Sequence, residues 1–334
     1  RDPAGRPSPR NTAMTSTLTA PAADLLMVGP LLPELTADLE SRYRVHRWWE
    51  SPDQAALLRE HGPAIRGIAT SGRFGAPRSL IDALPALEGV FSFGVGYDTI
   101  DVAAAQARNV LVTNTPGVLD ACVADTALAL MLAAPRRLAE ADRFVRAGRW
   151  PQEGFGLGTR MSGKRCGIVG LGNIGLQIAR RAEAFDMPIL YTSRKPRADA
   201  PAHYQYCANV LELAAQSDFL VLAVPGGAAT RHLVNAAVLD ALGPQGWLIN
   251  IARGSVVDET ALVAALRDGR IAGAGLDVFE HEPATPPALN GMDNVVMLPH
   301  IASGTHETRR AMADLMLANL DGWFRDGTTV TRVV

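Results

Sequence analysis

Cys166-Gly167-Ile168-Val169-Gly170-Leu171-Gly172-Asn173-Ile174-Gly175 is the stretch that decides the fold. Its first four residues form an apolar run that leads straight into G-x-G-x-x-G, and residues 176–185 continue with helical spacing. Buried strand, tight turn and helix start thus follow in the order a dinucleotide-binding unit requires. In such a turn Gly170 makes the bend, Gly172 lets the backbone approach a pyrophosphate, and Gly175 lets helix pack on strand. With Leu171, Asn173 and Ile174 they form a loop whose phosphate ligand lies against the free N–H groups of the helix N-terminus. The bland alternative is a turn that binds nothing, and the context disfavours it. Gly94-Val95-Gly96 is a decoy, lacking both the third glycine and an immediate helix.

From the strand that opens the turn onward, apolar runs predict strands at 165–169, 188–191, 219–223, 247–251, 273–277 and 295–298, with helices between most of them. Upstream, strands are expected at 25–28, 65–70, 89–93 and 110–112. Helices are expected at 33–43, 79–84 and 101–108, the last capped by Asp101. Continuous apolar strands alternating with helices imply parallel sheets covered on both faces, an α/β fold. A doubly wound nucleotide unit needs about 150 residues or more, and its glycine motif begins only at Gly170, so the preceding residues form a separate domain.

After Thr115-Pro116-Gly117 a helix is expected over 118–134, followed by a second over 138–147. Residues 126–134 carry no charge, so that stretch must be buried, between domains or at a subunit interface, and a two-fold dimer is predicted. Residues 306–324 read as an amphipathic helix. Trp48 and Trp49, adjacent in a short strand, would point to opposite faces, so at most one is expected in the core.

The composition agrees. The chain has 334 residues, 32 basic and 34 acidic, with a formal net charge of −2. That balance offers no global field for nucleic acid or a membrane surface, and no apolar run reaches the roughly 20 residues of a bilayer span. Cys122, Cys166 and Cys207 are odd in number and widely spaced, which argues against a disulfide framework or a metal site and for a reducing, cytoplasmic setting. Residues 1–13 read as a leader outside the fold, with Met14 as a start.

About twenty residues beyond the glycine turn, an NAD-binding unit normally presents Asp or Glu to the ribose diol. Here the chain reads Tyr191-Thr192-Ser193-Arg194-Lys195-Pro196-Arg197, with a hydroxyl and three cations and no carboxylate. Ser193, Arg194 and Lys195 suit a 2′-phosphate, so NADPH is expected to be preferred, with NADH weaker. A solvated basic loop is the alternative.

Three polar residues fall where later strands end, which is where open α/β sheets bind ligands. Arg253 is a cation suited to a carboxylate, and His300 is able to exchange a proton near neutral pH. Glu282, on the far imidazole nitrogen, would orient the ring and favour its charged form. Singly, each has a plainer reading: a structural ion pair, a solvated turn, a satisfied histidine.

Together with the glycine turn, Ile251-Ala252-Arg253-Gly254, Gly275-Leu276-Asp277-Val278-Phe279-Glu280-His281-Glu282-Pro283 and Leu298-Pro299-His300-Ile301-Ala302-Ser303-Gly304-Thr305 resemble the D-isomer-specific 2-hydroxyacid dehydrogenases. Within that family the likeness is to the NADPH-preferring glyoxylate/hydroxypyruvate reductases and hydroxyphenylpyruvate reductases. The resemblance implies two doubly wound parallel-sheet domains with a cleft between them. One is a Rossmann-type coenzyme domain over 115–302; the other is a flavodoxin-like substrate domain over 14–114 and 303–334. It implies His300 as acid/base, Glu282 as its partner and Arg253 as the substrate-orienting cation. The backbone N–H groups of Val95 and Gly96 would hold the substrate carboxylate, and the loop opened by Ser71 would face the substrate. Val224, Pro225 and Ile251 would touch the coenzyme, and Asp277 its nicotinamide side. The loop Val224-Pro225-Gly226-Gly227-Ala228-Ala229-Thr230 departs from the family's usual version in its glycine content. The implied reaction is reduction of a small 2-oxo acid by NADPH. A 2-ketogluconate reductase, a phosphoglycerate-type dehydrogenase and, from another class, a nucleotide-sensing corepressor-like binding protein are the competing readings.

Overall fold

A computed structural model describes residues 23–334; the expected leader at 1–13 and Met14 lie outside the described residues. The first sheet contains β1 (Asp24–Met27), β2 (Arg44–Arg47), β3 (Ile65–Ser71), β4 (Gly89–Phe93) and β5 (Leu111–Thr113), interleaved with α1 (Pro33–Arg42), α2 (Gln54–His61), α3 (Arg78–Asp82) and α4 (Val102–Ala107). Its strands are all parallel in the order β2-β1-β3-β4-β5, the flavodoxin-like doubly wound order.

Next come α5 (Asp120–Ala133) and α6 (Leu138–Arg146), and then the second sheet. Its elements are β6 (Cys166–Val169), α7 (Asn173–Glu183), β7 (Ile189–Thr192), β8 (Gln205–Tyr206), α8 (Val210–Gln216), β9 (Phe219–Leu222), α9 (Ala236–Leu242), β10 (Trp247–Asn250), α10 (Glu259–Arg267), β11 (Gly273–Leu276) and β12 (Val295–Met297); α11 (His306–Asp326) ends the chain's regular structure. The strand order is β12-β11-β10-β9-β6-β7-β8, again all parallel. Counted from β6 this is the Rossmann order extended by one strand.

The strands form where apolar runs can be covered on both faces. Every residue of β4, β6, β7, β9, β10 and β11 is buried. Asp101 caps α4 as expected, its carboxylate accepting from Ala104 N at 2.8 Å. The uncharged stretch of helix α5 is covered by its own chain: the helix packs on α7, β10 and β11, and Thr126 Oγ1 donates to Ala302 O. Helix α11 returns to the first sheet and packs on β4. The tail then pairs with β5, Val333 N donating to Val112 O at 2.8 Å. One apolar cluster therefore runs from Leu25 and Phe91 through Met312, Val123 and Ala127 to Ile178 and Ile249.

Two sequence expectations need correction. Trp48 and Trp49 are in a short 3-10 turn after β2, not in a strand. Both, not at most one, pack against a core, Trp49 on the large cluster and Trp48 on the one around Ile68 and Ile81, because the turn sends them to opposite sides. Helix α7 begins at Asn173, three residues ahead of the expected start, so the last part of the glycine motif is its first turn.

Candidate active site

Strand order reverses between β1 and β3 in one sheet and between β6 and β9 in the other, and binding crevices form beyond the strand ends at such points. The loops leaving β3, β4, β6, β7, β9, β10, β11 and β12 carry the expected site residues.

The glycine turn has the geometry its sequence demands. Gly170 sits at φ 95°, and a Cβ there would come within 2.7 Å of Val224 Cγ1. A Cβ on Gly175 would overlap Gly170 O, so only glycine lets α7 approach β6. A Cβ on Gly172 would meet nothing within 4 Å: this is open space directly before the helix N-terminus. The residues present therefore fit a dinucleotide pyrophosphate. Asp120, which the sequence reading did not single out, is a half-buried carboxyl at the start of α5. Burial pushes its carboxyl up, partly offset by hydrogen bonds from the Asn173 amide and the Gly117 N–H.

Beyond β7 the three cations divide. Arg197 is engaged: its guanidinium pairs with Asp199 at 2.7 Å and donates to Leu171 O at 2.9 Å. Ser193 Oγ donates to Lys195 O at 2.6 Å. Arg194 and Lys195 are exposed, and neither forms an ion pair or side-chain hydrogen bond among the described residues. They remain available to an added phosphate.

His300 Nδ1 and Glu282 Oε2 are 2.7 Å apart, which leaves Nε2 for proton exchange. Burial alone would raise the Glu282 carboxyl. The hydrogen bond and charge of His300, the Phe279 N–H and the charge of Arg253 outweigh it and hold the group below the usual carboxylate range. His300 lies at φ 55°, a left-handed conformation unusual for a side chain with a Cβ. Asp277 supports it there. His300 N donates to Asp277 O, and the fully buried carboxylate accepts from Ile301 N at 2.7 Å and Ala302 N at 2.8 Å. Burial pushes this carboxyl up, with the two N–H bonds only partly offsetting it. Both Asp277 oxygens thus face the main chain that carries His300.

Arg253 leaves β10 through a turn built by Asn250. That side chain accepts from Ala252 N and donates to Arg253 O at 2.9 Å. A Cβ on Gly254 would overlap the Phe279–Glu280 peptide, so glycine lets this loop press against the one bearing Glu282. The guanidinium reaches across to the first sheet, Nε donating to Asp98 Oδ1 at 3.1 Å. The structural ion pair weighed as its plainer reading is therefore present. Nη2 lies against Gly96, where any Cβ would overlap it, and 3.5 Å from a Cβ placed on Gly72. The Val95 and Gly96 N–H groups donate to nothing among the described residues. In the loop opened by Ser71, Gly72 rather than Phe74 faces Arg253, for the Phe74 ring covers Gly29. Val224 packs on the glycine turn, and Ile251 is nearly buried at the end of β10.

The sequence model described as "D-isomer specific 2-hydroxyacid dehydrogenase, NAD binding domain" matches residues 128–302. A hydroxyphenylpyruvate reductase of Plectranthus scutellarioides is 49% identical over 94% of this chain and 99% of its own length. Glyoxylate/hydroxypyruvate reductase A HPR2 of Arabidopsis thaliana is 49% identical over 93% of this chain and 98% of its own. The crystal structure of an NADPH-dependent glyoxylate/hydroxypyruvate reductase from Sinorhizobium meliloti in complex with NADP and malonate superimposes with TM-score 0.88. It is 47% identical and covers 94% of this chain and 97% of that one.

Proposed function

The chain belongs to the D-isomer-specific 2-hydroxyacid dehydrogenase family, and from that premise we propose that it reduces glyoxylate, hydroxypyruvate and related small 2-oxo acids to D-2-hydroxy acids with NADPH. The observation that carries the reading is the place of Arg253. Its Nη2 lies against the Gly96 backbone, and its charge is felt by the carboxylate that holds His300.

When bound, the coenzyme supplies hydride from its nicotinamide ring. Gly170 to Gly175 and the first turn of α7 hold the pyrophosphate, and Arg194 and Lys195 hold the 2′-phosphate. Val224, Pro225 and Ile251 line the coenzyme's path. Residues 115–302 carry this half of the site; among the described residues, 23–114 and 303–334 carry the substrate half. The Val95 and Gly96 N–H groups and Arg253 Nη2 bind the substrate carboxylate, with the Ser71–Gly72 turn closing over it. Arg253 also stabilises negative charge growing on the carbonyl oxygen. His300 delivers a proton to that oxygen from Nε2 while Glu282 holds the charged ring. Asp277 keeps the His300 loop in place. With Arg253, Glu282 and His300 all present, catalysis is favoured over a binding-only role.

A homodimer is the proposed assembly. Its support is an apolar surface on α6 and the segment after it, with Leu138 49%, Val145 52%, Trp150 68% and Leu157 99% exposed. Among the described residues no helix is long and apolar enough to cross a membrane, and all three cysteines are free. The thiols suit the reducing cytoplasm.

The test is an absorbance screen of glyoxylate, hydroxypyruvate, phenylpyruvate, hydroxyphenylpyruvate and 2-ketogluconate with each reduced coenzyme. Fastest turnover of the first two with NADPH is expected. Turnover of 2-ketogluconate alone, or preference for NADH, would overturn the assignment.

A further inference from the structure

The Asp98 and Arg253 side chains, 155 residues apart in sequence, meet across the two sheets. Only 19% and 26% of their respective side-chain surfaces are exposed. The donors of Arg253 are divided among distinct partners. Nη1 donates to Ala252 O at 2.8 Å and Nε to Asp98 Oδ1 at 3.1 Å, while Nη2 has no acceptor among the described residues. A guanidinium is planar, so two fixed acceptors on different nitrogens set its plane and aim the third nitrogen. Here that third nitrogen faces Gly96, beside the two unengaged N–H groups. The pair also needs room. A Cβ on Gly226 would come within 2.9 Å of both Arg253 Cγ and Asp98 Oδ2. Glycine in the loop after β9, where the chain departs from the usual family pattern, is therefore matched to the bridge beside it.

We propose that Asp98 is a positioning residue for the reaction: it grips Arg253 by Nε so that Nη2 meets the substrate carboxylate beside the Val95–Gly96 peptide, and Gly226 leaves the space in which that grip forms. The inference rests on the 2-oxo acid reductase reading above. Because Asp98 comes from the loop after β4 and Arg253 from the loop after β10, the same bond also fixes how the two halves of the cleft meet. Orientation is the requirement, so an uncharged acceptor at the same position retains most of the effect.

The experiment uses the full chain and its Asp98→Ala, Asp98→Asn and Gly226→Ala variants. Steady-state kcat and KM are measured for glyoxylate and hydroxypyruvate with NADPH, alongside NADPH affinity by fluorescence and Tm. Asp98→Ala is expected to raise KM and lower kcat, for a combined loss in kcat/KM of about tenfold to a hundredfold, the scale of an ångström-level misplacement. NADPH affinity stays unchanged. Asp98→Asn, whose amide oxygen still accepts from Nε, recovers most of the loss, and Gly226→Ala falls in the direction of Asp98→Ala. Wild-type kinetics in Asp98→Ala would overturn the inference. So would equal losses in the Ala and Asn variants, or a fall in Tm and NADPH affinity that accounts for the whole effect. If the unmodified chain itself turns over no 2-oxo acid, the functional reading fails, a result distinct from any of these.

Discussion

Replacing Asp277 by alanine strikes the support under His300 without touching the imidazole. Two backbone N–H groups, of Ile301 and Ala302, lose their acceptors; the buried one, Ala302 N, costs about 1–3 kcal/mol when left unsatisfied. Those bonds hold a loop in which His300 has φ 55°, a conformation that costs a non-glycine residue about 1–3 kcal/mol. The support and the strain are of similar size, so removing the first releases the second. The ring then leaves the 2.7 Å contact with Glu282, and a displacement of an ångström costs about a hundredfold in rate. The variant should therefore lose about two orders of magnitude in kcat, and Tm should fall, while NADPH affinity measured by fluorescence is kept. Asp277→Asn keeps one acceptor but turns an NH2 towards the other N–H, so its kcat should lie between the two. Loss of NADPH affinity with kcat preserved would refute the reasoning and put Asp277 on the nicotinamide side instead of behind His300.

His300→Ala should abolish turnover and leave NADPH binding near normal; a variant keeping most of its rate would remove His300 from proton transfer. Arg194→Ala should weaken NADPH far more than NADH in paired titrations, because Arg194 has no partner among the described residues other than the phosphate proposed for it. Equal losses would assign that loop to solvent. Glu282 has a folded-state value below that of the unfolded chain, so its stabilisation is present above the unfolded value and lost as pH falls through the folded one. The Tm difference between wild type and Glu282→Gln should thus hold at neutral pH and shrink on acidification below the usual carboxylate range; a difference that grows there would contradict the pairing.

Much of this was legible in the sequence, for a physical reason. Strands buried on both faces are written as unbroken apolar runs, and the turn is written in glycines, two of which, Gly170 and Gly175, no residue with a Cβ can replace without a clash. Elements that bury little were not legible. Strand β2 is an edge of polar residues recognisable only through its pairing with β1, α2 has no buried residue, and β8 is two residues long. The site divides in the same way. Arg253, Glu282 and His300 stand at strand ends, a position the pattern of strands reveals. Asp98 and Gly226 act through tertiary partners, and nothing local marks them; Asn250 acts locally, on Ala252 N and Arg253 O, but only the turn's geometry reveals it. Asp98 even lies in the stretch already noted for Val95 and Gly96, but its partner is contributed by the other sheet. The uncharged stretch of α5 correctly signalled burial, while what covers it could only be seen in three dimensions.

The central claim is that hydride passes from NADPH to C2 of a 2-oxo acid in the cleft between Arg253 and His300. It is tested most directly by incubating the enzyme with hydroxypyruvate and NADPH deuterated at either face of nicotinamide C4, then analysing the product. The account predicts deuterium at C2 from one face only, in a product of D configuration. Unlabelled product from both coenzymes, or an L product, would contradict it.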